Sequence, residues 1–507
     1  MTAEAPSVER SPALTVSGLV ERALEFDFTR PLAFAALAVA FVLSRVPWLW
    51  HGYGTDPDAW RVALTANYLW DHGEYWPSRL PGYPLHEFVT AAFIKGGAPA
   101  TNFSTVLASL AGVWVFAQLV RELRLPAQGA LTVAFAFAPL LWINSVTTMD
   151  YMWALTFGLA AYLAALRRRP LFAGALVGVA AGFRLTYLGM ALPLALYLWR
   201  SGRPRDAVPL AAAATVVTAV AFAPVLWVYK LDFWNFYDQK VPWLNFLRLL
   251  GKDGLGLVGA TWTLVALGIA LPKFARLPSD LRREPHLWMW LGVIVLYSAS
   301  FTRLPHEIAY LIPLFPFGFF LMGRYFPRWL LVSTLAVILL AGFVDLTSPG
   351  DDIDLEAFTN ARVGKGMLLS SLETMDNQID FANEVRDDIP IPEHSVVMMG
   401  FTYPHFAVLN HDRFENAILE KDYRAISMLS DRGVTIDHER DILYVWLLEY
   451  ETFLRLKERG YRFFYVPDVA RSTVNVFKYR PGYYGAEELP TSRESPSESA
   501  GAARTDR

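Results

Sequence analysis

Two carboxylates, Asp56 and Asp58, flank Pro57 shortly after an apolar segment that ends at Trp50. Neighbouring acids repel each other's charge, which raises the pKa of one and lets it take a proton from a hydroxyl. An Asp-x-Asp pair can also direct oxygen ligands at one divalent ion, so Mg²⁺ or Mn²⁺ is open as a cofactor. The same letters also describe a helix start, with Thr55 or Asp56 as N-cap and Pro57 in the first turn. The sequence leaves these interpretations open.

Further charged residues lie at the ends of apolar runs. Asp150 falls in TTMDYMW, Arg184 falls in AGFRLTY, and SFTRLPHEIAYLIP holds Arg303, His306 and Glu307. Charges at this depth are costly unless they are partnered or functional. Arginine suits a phosphate through charge-assisted hydrogen bonds, and histidine adds a donor or a proton. We predict a phosphate site from the two arginines and the histidine, supported by the two acids; the alternatives are an arginine that snorkels to head groups and a boundary histidine.

The stretch from Gly54 to Glu87 gathers acids, bases and aromatics in a chain that is otherwise strongly apolar. Its last part, PGYPLHE, contributes Tyr83, His86 and Glu87. We predict that these three residues support or contact substrate, with the alternative that they only orient the helix that follows. The stretch as a whole is the best candidate for the chemistry.

The elements that must position these residues are membrane helices. The chain has 507 residues, 54% of them hydrophobic, gathered in apolar runs of about 15 to 22 residues, the length that crosses a hydrocarbon core. A net charge of -3 argues against nucleic-acid binding. The chain has no cysteine, which excludes disulfides, thiol catalysis and Cys-ligated zinc.

About eleven spans are predicted, because this number places the arginine clusters of the intervening loops on one face of the membrane. The segment 84–94 is apolar but short, so we expect it to be a juxtamembrane helix on the outer face. The predicted spans are 31–50, 103–120, 129–143, 151–166, 171–183, 186–199, 207–228, 255–271, 287–301, 308–322 and 329–344.

This topology divides the chain into four parts. Residues 1–29 form a cytoplasmic segment, and 30–345 form the transmembrane domain, with a first outer loop at 51–102. Residues 346–485 have a soluble pattern, with short buried strands and an amphipathic helix, which predicts a small α/β domain outside the cell membrane. Residues 486–507 are polar and are expected to be disordered. The protein is thus expected to be a multi-pass protein of the plasma (inner) membrane with an extracytoplasmic C-terminal domain.

The arrangement resembles the GT-C superfamily of membrane glycosyltransferases, and is similar to protein mannosyltransferases, aminoarabinose transferases and Rgt-type bacterial transferases. The features that carry the resemblance are the first outer loop with paired acids, the PGYPLHE segment, the later acid at the mouth of a span and RLPHEIAYLIPLFP. They lie within residues 30–345. The loop reads DPD where many relatives have adjacent acids, which leaves open which carboxylate is the base.

The resemblance implies a fold and an activity. The donor would be a sugar on a polyprenyl phosphate, the acceptor would be a glycan, lipid or protein of the envelope, and transfer would take place on the outer face with inversion. Asp56 or Asp58 would be the base, Arg184, Arg303 and His306 would hold the donor phosphate, and Asp150 would match the second acid of the family. Some relatives use a divalent metal and others do not.

Three other functions remain open. In a transporter or flippase for polyprenyl-linked glycans, the charges would line a path, although no matched halves are visible. A structural or assembly protein would leave the charges at the span mouths unexplained. A glycan polymerase would share this topology and differ in transferring whole oligosaccharides.

Overall fold

The computed structural model describes residues 21–230, 244–303, 307–347, 362–418, 433–448, 450–467 and 485–490. The described chain is mostly helical, with strands confined to the C-terminal part. The α-helices are α1 Pro31–Arg45, α2 Pro57–His72, α3 Pro84–Phe93, α4 Gly97–Glu122, α5 Gln128–Phe137, α6 Pro139–Ser145, α7 Tyr151–Leu166, α8 Pro170–Phe183, α9 Ala191–Arg200, α10 Ala207–Ala221, α11 Ala223–Tyr229, α12 Leu244–Arg248, α13 Leu257–Phe274, α14 Leu277–Arg283, α15 Pro285–Arg303, α16 Leu314–Tyr325, α17 Arg328–Leu340, α18 Met367–Asp387, α19 Tyr403–Leu409 and α20 Tyr450–Glu458.

Three helical segments of the described chain are long and apolar enough to cross a membrane: Pro31–Trp50, Pro84–Glu122 and Leu257–Phe274. Shorter apolar helices, among them α5, α7, α8 and α17, account for several of the other expected spans. The total of about eleven spans therefore stays a prediction.

The segment expected to be a juxtamembrane helix forms a separate helix, α3, and its place relative to the membrane stays a prediction. Its buried residues include His86, Glu87 and Thr90, and it packs against α2, α4 and α8. A short 3-10 turn, Ile94–Gly96, joins it to α4. The buried side chains of α3 therefore hold the preceding loop against the other helices.

Glycines let two helices of the body approach closely. A Cβ atom added at Gly174, Gly178 or Gly182 of α8 would overlap atoms of α10, among them those of Leu210 and Val217. The close approach explains why small residues recur in this apolar run. It also fixes the C-terminal end of α8, where Arg184 follows.

The C-terminal part forms the expected α/β domain. Its strands are β1 Val344–Thr347, β2 Arg362–Lys365, β3 Ser395–Met398, β4 Glu415–Ile418, β5 Gly433–Asp437, β6 Ile442–Val445, β7 Arg462–Tyr465 and β8 Glu487–Glu488. β1 and β2 form an antiparallel pair after α17, and the other six form one sheet in the order β4-β5-β6-β3-β7-β8. β3 runs parallel to β6 and β7, and all four of its residues are buried, as is typical of a central parallel strand.

The end of the chain differs from expectation at one point. The tail expected to be disordered begins at 486, yet Glu487–Glu488 pair with β7 as a parallel strand. Residues 491–507 lie outside the described chain.

Candidate active site

Asp58, Arg79, Asp150 and Arg184 form a continuous chain of ion pairs. Arg79 Nε lies 2.8 Å from Asp58 Oδ2, and Arg79 Nη2 lies 3.1 Å from Asp150 Oδ1. Arg184 Nη1 lies 2.7 Å from Asp150 Oδ2. Asp150 is fully buried, and the arginine side chains are only 8% and 9% exposed. Two acids and two bases from distant parts of the sequence thus meet in one buried place.

Aromatic rings pack against the guanidinium groups of the two arginines. The Arg79 guanidinium carbon lies 3.8 Å from the centre of the Tyr83 ring. That of Arg184 lies 4.2 Å from the Tyr151 ring and 4.6 Å from the Tyr310 ring. A cation over an aromatic face is attracted by the ring's quadrupole and loses little freedom on binding an anion. The arginines are therefore fixed in place before any ligand arrives.

Asp56 begins α2 and also faces the site. Its Oδ1 accepts a hydrogen bond from the backbone N–H of Asp58 at 2.9 Å, so it is the N-cap of the helix, and Pro57 is the first helical residue. Oδ2 forms no hydrogen bond or ion pair with any described residue. Burial and the neighbouring charge of Asp58 raise the pKa of Asp56 to about 7. Asp56 is thus the N-cap of α2 and also presents a carboxylate oxygen without a described partner, so the two interpretations that the sequence left open do not exclude each other.

Asp58 is placed differently. One oxygen is held by Arg79, and the other lies 3.4 Å from Arg61 Nη1. Both oxygens of this carboxylate are thus engaged by guanidinium groups. The structure therefore separates the two acids: Asp56 has a free oxygen, and Asp58 is occupied by arginines.

Glu87 anchors the loop that carries Arg79. It is fully buried, and it accepts hydrogen bonds from the Ser78 backbone N–H at 2.7 Å, the Ser78 hydroxyl at 2.6 Å and the Tyr75 hydroxyl at 2.5 Å. The backbone N–H of Tyr83 donates at 3.3 Å. Glu87 thus orients the loop from α3, and it supports the site without facing it.

His86 and Glu307 complete the surroundings. His86 is buried, and its Nδ1 has no hydrogen-bond partner in the described chain. Glu307 lies near enough to Asp56 and Asp58 for burial and these acids to raise its pKa well above the usual value. Both expected phosphate ligands of the late segment fall beyond what the structure describes, since Arg303 ends α15 without a described side chain and His306 lies between 303 and 307.

A small cavity opens beside Arg184. Its walls include Tyr151, Thr186, Tyr187 and Tyr310. Arg184 uses Nη1 for Asp150, and its other N–H groups have no partner among the described residues. These donors, with tyrosine hydroxyls around them, suit a phosphate oxygen.

The C-terminal domain contacts the acid loop on both sides. Gln378 Nε2 of α18 donates to the Thr55 carbonyl at 2.9 Å, and His51 Nδ1 lies 2.7 Å from Asp376 Oδ1. On the other side, the ring of His405 packs against Trp60 with a centroid distance of 4.6 Å. The domain therefore braces the residues that precede and follow Asp56.

In the described part of the chain, no three His, Asp or Glu side chains are grouped so that they could hold a metal ion. Asp56 and Asp58, the pair that the sequence offered as ligands, are used as an N-cap and as an arginine partner. A divalent ion enters none of the steps proposed below.

Sequence reasoning missed Arg79, Arg61, Tyr151 and Tyr310. A signal for Arg79 was present, since it is the one Lys or Arg between Arg61 and Lys95 and lies between prolines in WPSRLP. The tyrosines carry no such signal, because an aromatic residue at the end of an apolar run is usually an interfacial anchor. Only the fold shows that they face an arginine.

Among solved structures, the chain is similar to two crystal structures of ArnT from Cupriavidus metallidurans. For ArnT bound to undecaprenyl phosphate, the TM-score is 0.48 at 16% identity, over 74% of this chain and 84% of that chain. For the apo state, it is 0.48 at 15% identity, over 74% and 83%. No protein-family model and no curated protein matches the chain. At this level of similarity, the function has to be inferred from the chain's own residues.

Proposed function

We propose that the protein is an integral membrane glycosyltransferase that moves a sugar from a polyprenyl-phosphate donor to an acceptor hydroxyl on the outer face of the membrane. One observation carries the proposal: a carboxylate with a free oxygen and a pKa of about 7, Asp56, stands beside a buried, ring-backed pair of arginines. A general base next to an anion site is what displacement of a phosphate from a sugar requires.

Asp56 is the base in this mechanism. Its free Oδ2 takes the proton of the acceptor hydroxyl as the hydroxyl oxygen bonds to the anomeric carbon of the donor sugar. The bond from that carbon to the phosphate oxygen breaks, and polyprenyl phosphate leaves with the electron pair. Because attack and departure occur on opposite faces, the anomeric centre inverts. A pKa near 7 matches the base to neutral pH.

Arg184 binds the donor phosphate. Its unpaired N–H groups donate to the phosphate oxygens, and the negative charge that develops on departure is stabilised without moving the guanidinium. Arg79 adds positive charge behind it, and Asp150 keeps both cations at fixed positions. Arg303 and His306, which the sequence predicts as further phosphate ligands, stay a prediction.

A donor on a polyprenyl chain fits the membrane body. The hydrocarbon chain stays in lipid while its head group enters the site between helices, so no polar sugar has to cross the bilayer core. The acceptor is a glycan, lipid or protein of the cell envelope, and the protein belongs to the plasma (inner) membrane. The C-terminal domain, which braces the acid loop, shares the outer side with the site.

The test is turnover by purified protein in detergent, supplied with synthetic polyprenyl-phosphate sugars and envelope acceptors, with released polyprenyl phosphate as the readout. We expect the wild type to turn over and Asp56→Asn to lose about a hundredfold or more, as for removal of a general base. Arg184→Gln should raise the donor KM. Glu373→Gln, on the exposed side of α18, is the matched control and should behave as the wild type.

Two results would contradict the proposal. If no donor is consumed and the variants match the wild type in every assay, the transferase is wrong, and a lipid-flipping assay follows. If Asp58→Asn abolishes turnover while Asp56→Asn retains it, the protein is a transferase and the base is misassigned.

A further inference from the structure

A second cavity, of about 260 Å³, lies between the C-terminal half of α2 and the C-terminal domain. We call it the α2–β4 cavity. Its walls include Asn67, Tyr68 and His72 from α2, and His411, Phe414 and Asn416 from the segment that leads into β4. The cavity is not part of the acid–arginine site, since α2 rises about 1.5 Å per residue and so places Asp71 roughly 20 Å from Asp58.

Asn67 gives the cavity a hydrogen-bonding side chain. The residue is 7% exposed, and its amide makes no hydrogen bond with any residue that the structure describes. The amide offers both a donor and an acceptor, which is what a sugar hydroxyl uses.

His72 also offers a hydrogen-bonding atom to a ligand. His72 Nδ1 lies 3.2 Å from the Tyr68 carbonyl oxygen, so Nδ1 is the donor and Nε2 keeps a lone pair for a ligand. The His72 ring stacks on Tyr68 with centroids 4.2 Å apart. Phe414 closes the opposite wall, so the cavity combines flat rings with hydrogen-bonding edges.

The wall carries two carboxylates, Asp71 and Glu415. Asp71 is bound by Lys95 at 3.0 Å through one oxygen and by His411 Nε2 at 3.0 Å through the other. Asn416 Nδ2 lies 3.3 Å from His411 Nδ1, which favours the tautomer that donates to Asp71. These carboxylates disfavour a phosphate or carboxylate ligand, so a neutral polyol fits the cavity better than an anion.

We propose that the α2–β4 cavity binds a neutral sugar residue of the acceptor, away from the point of transfer. The proposal rests on the transferase function argued above. The α2–β4 cavity, at about 260 Å³, is smaller than the ~300–1,000 Å³ of drug-sized sites, so it takes one sugar ring. Because one helix carries Asp58 at its start and the cavity at its end, an extended glycan held there is aligned with the site by a rigid element.

The test is direct binding, independent of turnover. Full-length protein in nanodiscs is titrated with neutral disaccharides of glucose, galactose and mannose, followed by saturation-transfer NMR. We expect at least one disaccharide to bind the wild type. Asn67→Leu and His72→Phe should each weaken this binding by about tenfold or more, as for loss of a hydrogen bond that leaves a hydroxyl unpaired. His72→Phe keeps the stacked ring and lies at an exposed position, so it guards against misfolding of the buried variant.

Asp56→Asn separates the two proposals, because it should lose turnover and keep sugar binding. The cavity proposal is overturned if a wild type that turns over donor binds no disaccharide, or if both cavity variants bind as the wild type does. Sugar binding without any donor turnover would instead overturn the transferase function and leave the cavity a sugar site.

Discussion

Arg184 Nη1 lies 2.7 Å from Asp150 Oδ2, and the carboxylate that it contacts is fully buried. The other oxygen of that carboxylate binds Arg79. One carboxylate therefore bridges two guanidinium groups and sets the distance between them. Without Asp150, the two cations would repel each other where little water screens them.

Replacing Asp150 by asparagine should destabilise the protein strongly. Breaking a buried ion pair leaves an uncompensated charge, which costs about 3–5 kcal/mol; here Arg184 loses its ion pair and Arg79 keeps only the one with Asp58. Thermal unfolding in detergent measures the loss. The control is Glu373→Gln, which breaks an exposed pair with Lys365 and should cost about 1 kcal/mol or less. Equal melting temperatures for the two variants would show that Asp150 does not hold the arginines.

The rate of transfer should depend on the protonation of Asp56. Burial and Asp58 raise the pKa of Asp56 to about 7, so kcat/KM should fall as the pH drops through this value. Asp58→Asn removes a like charge, and the fall should then move to lower pH. Profiles of both proteins, measured with one donor, check this; a profile that stays at the same pH would show that Asp58 does not influence the base.

The contribution of Asp56 to the stability of the protein should change with pH in the opposite direction to the rate of transfer. The folded state holds the proton of Asp56 more tightly than the unfolded chain, since the pKa rises from 3.8 to about 7. Stability from this residue is therefore full below pH 3.8 and lost as the pH rises through about 7. Asp56→Asn keeps an N-cap side chain. Its stability relative to that of the wild type should increase as the pH rises from 4 to 8. If the free energies of unfolding of the two proteins change with pH in the same way across that range, the raised pKa of Asp56 is contradicted.

Much of the site could be predicted from residue type, because charged groups in an apolar chain stand out. The DPD start of α2, Asp150 and Arg184 were recognised this way, and the structure brings Asp56, Asp58, Asp150 and Arg184 together. The helix start itself was also predicted, from Asp56 and Pro57. These features depend on local composition, which a sequence displays directly.

The rest depends on three-dimensional contacts. Arg79 reaches Asp150 across 71 residues, and no local pattern states such a pairing. Glu87 was expected to contact substrate or to orient a helix, and it instead accepts hydrogen bonds from the Arg79 loop. The burial of α3 could not be read from its apolar length, because surface helices have the same composition.

Loss of Glu87 should displace Arg79 without touching the reacting atoms. Glu87→Ala leaves the Ser78 N–H and hydroxyl and the Tyr75 hydroxyl without their acceptor, at about 1–3 kcal/mol for each buried group. We expect lower stability and a reduced kcat/KM. Tyr75→Phe, which removes one of these donors, is the graded control and should show a smaller effect on both. If Glu87→Ala unfolds at the wild-type temperature, the loop is held by other contacts.

The brace from the C-terminal domain should affect rate more than stability. Gln378→Ala removes one hydrogen bond to the Thr55 carbonyl, next to Asp56, and should cost about 0.5–1.5 kcal/mol. A small displacement of a base can lower the rate by up to about a hundredfold, so kcat should fall while the donor KM, set at Arg184, is unchanged. Thr374→Ala, one turn earlier on α18, loses only a bond to its own helix and is the matched control. An unchanged kcat in Gln378→Ala would mean that Asp56 is positioned by α2 alone, through its N-cap bond, and that the domain's contact with the loop serves packing.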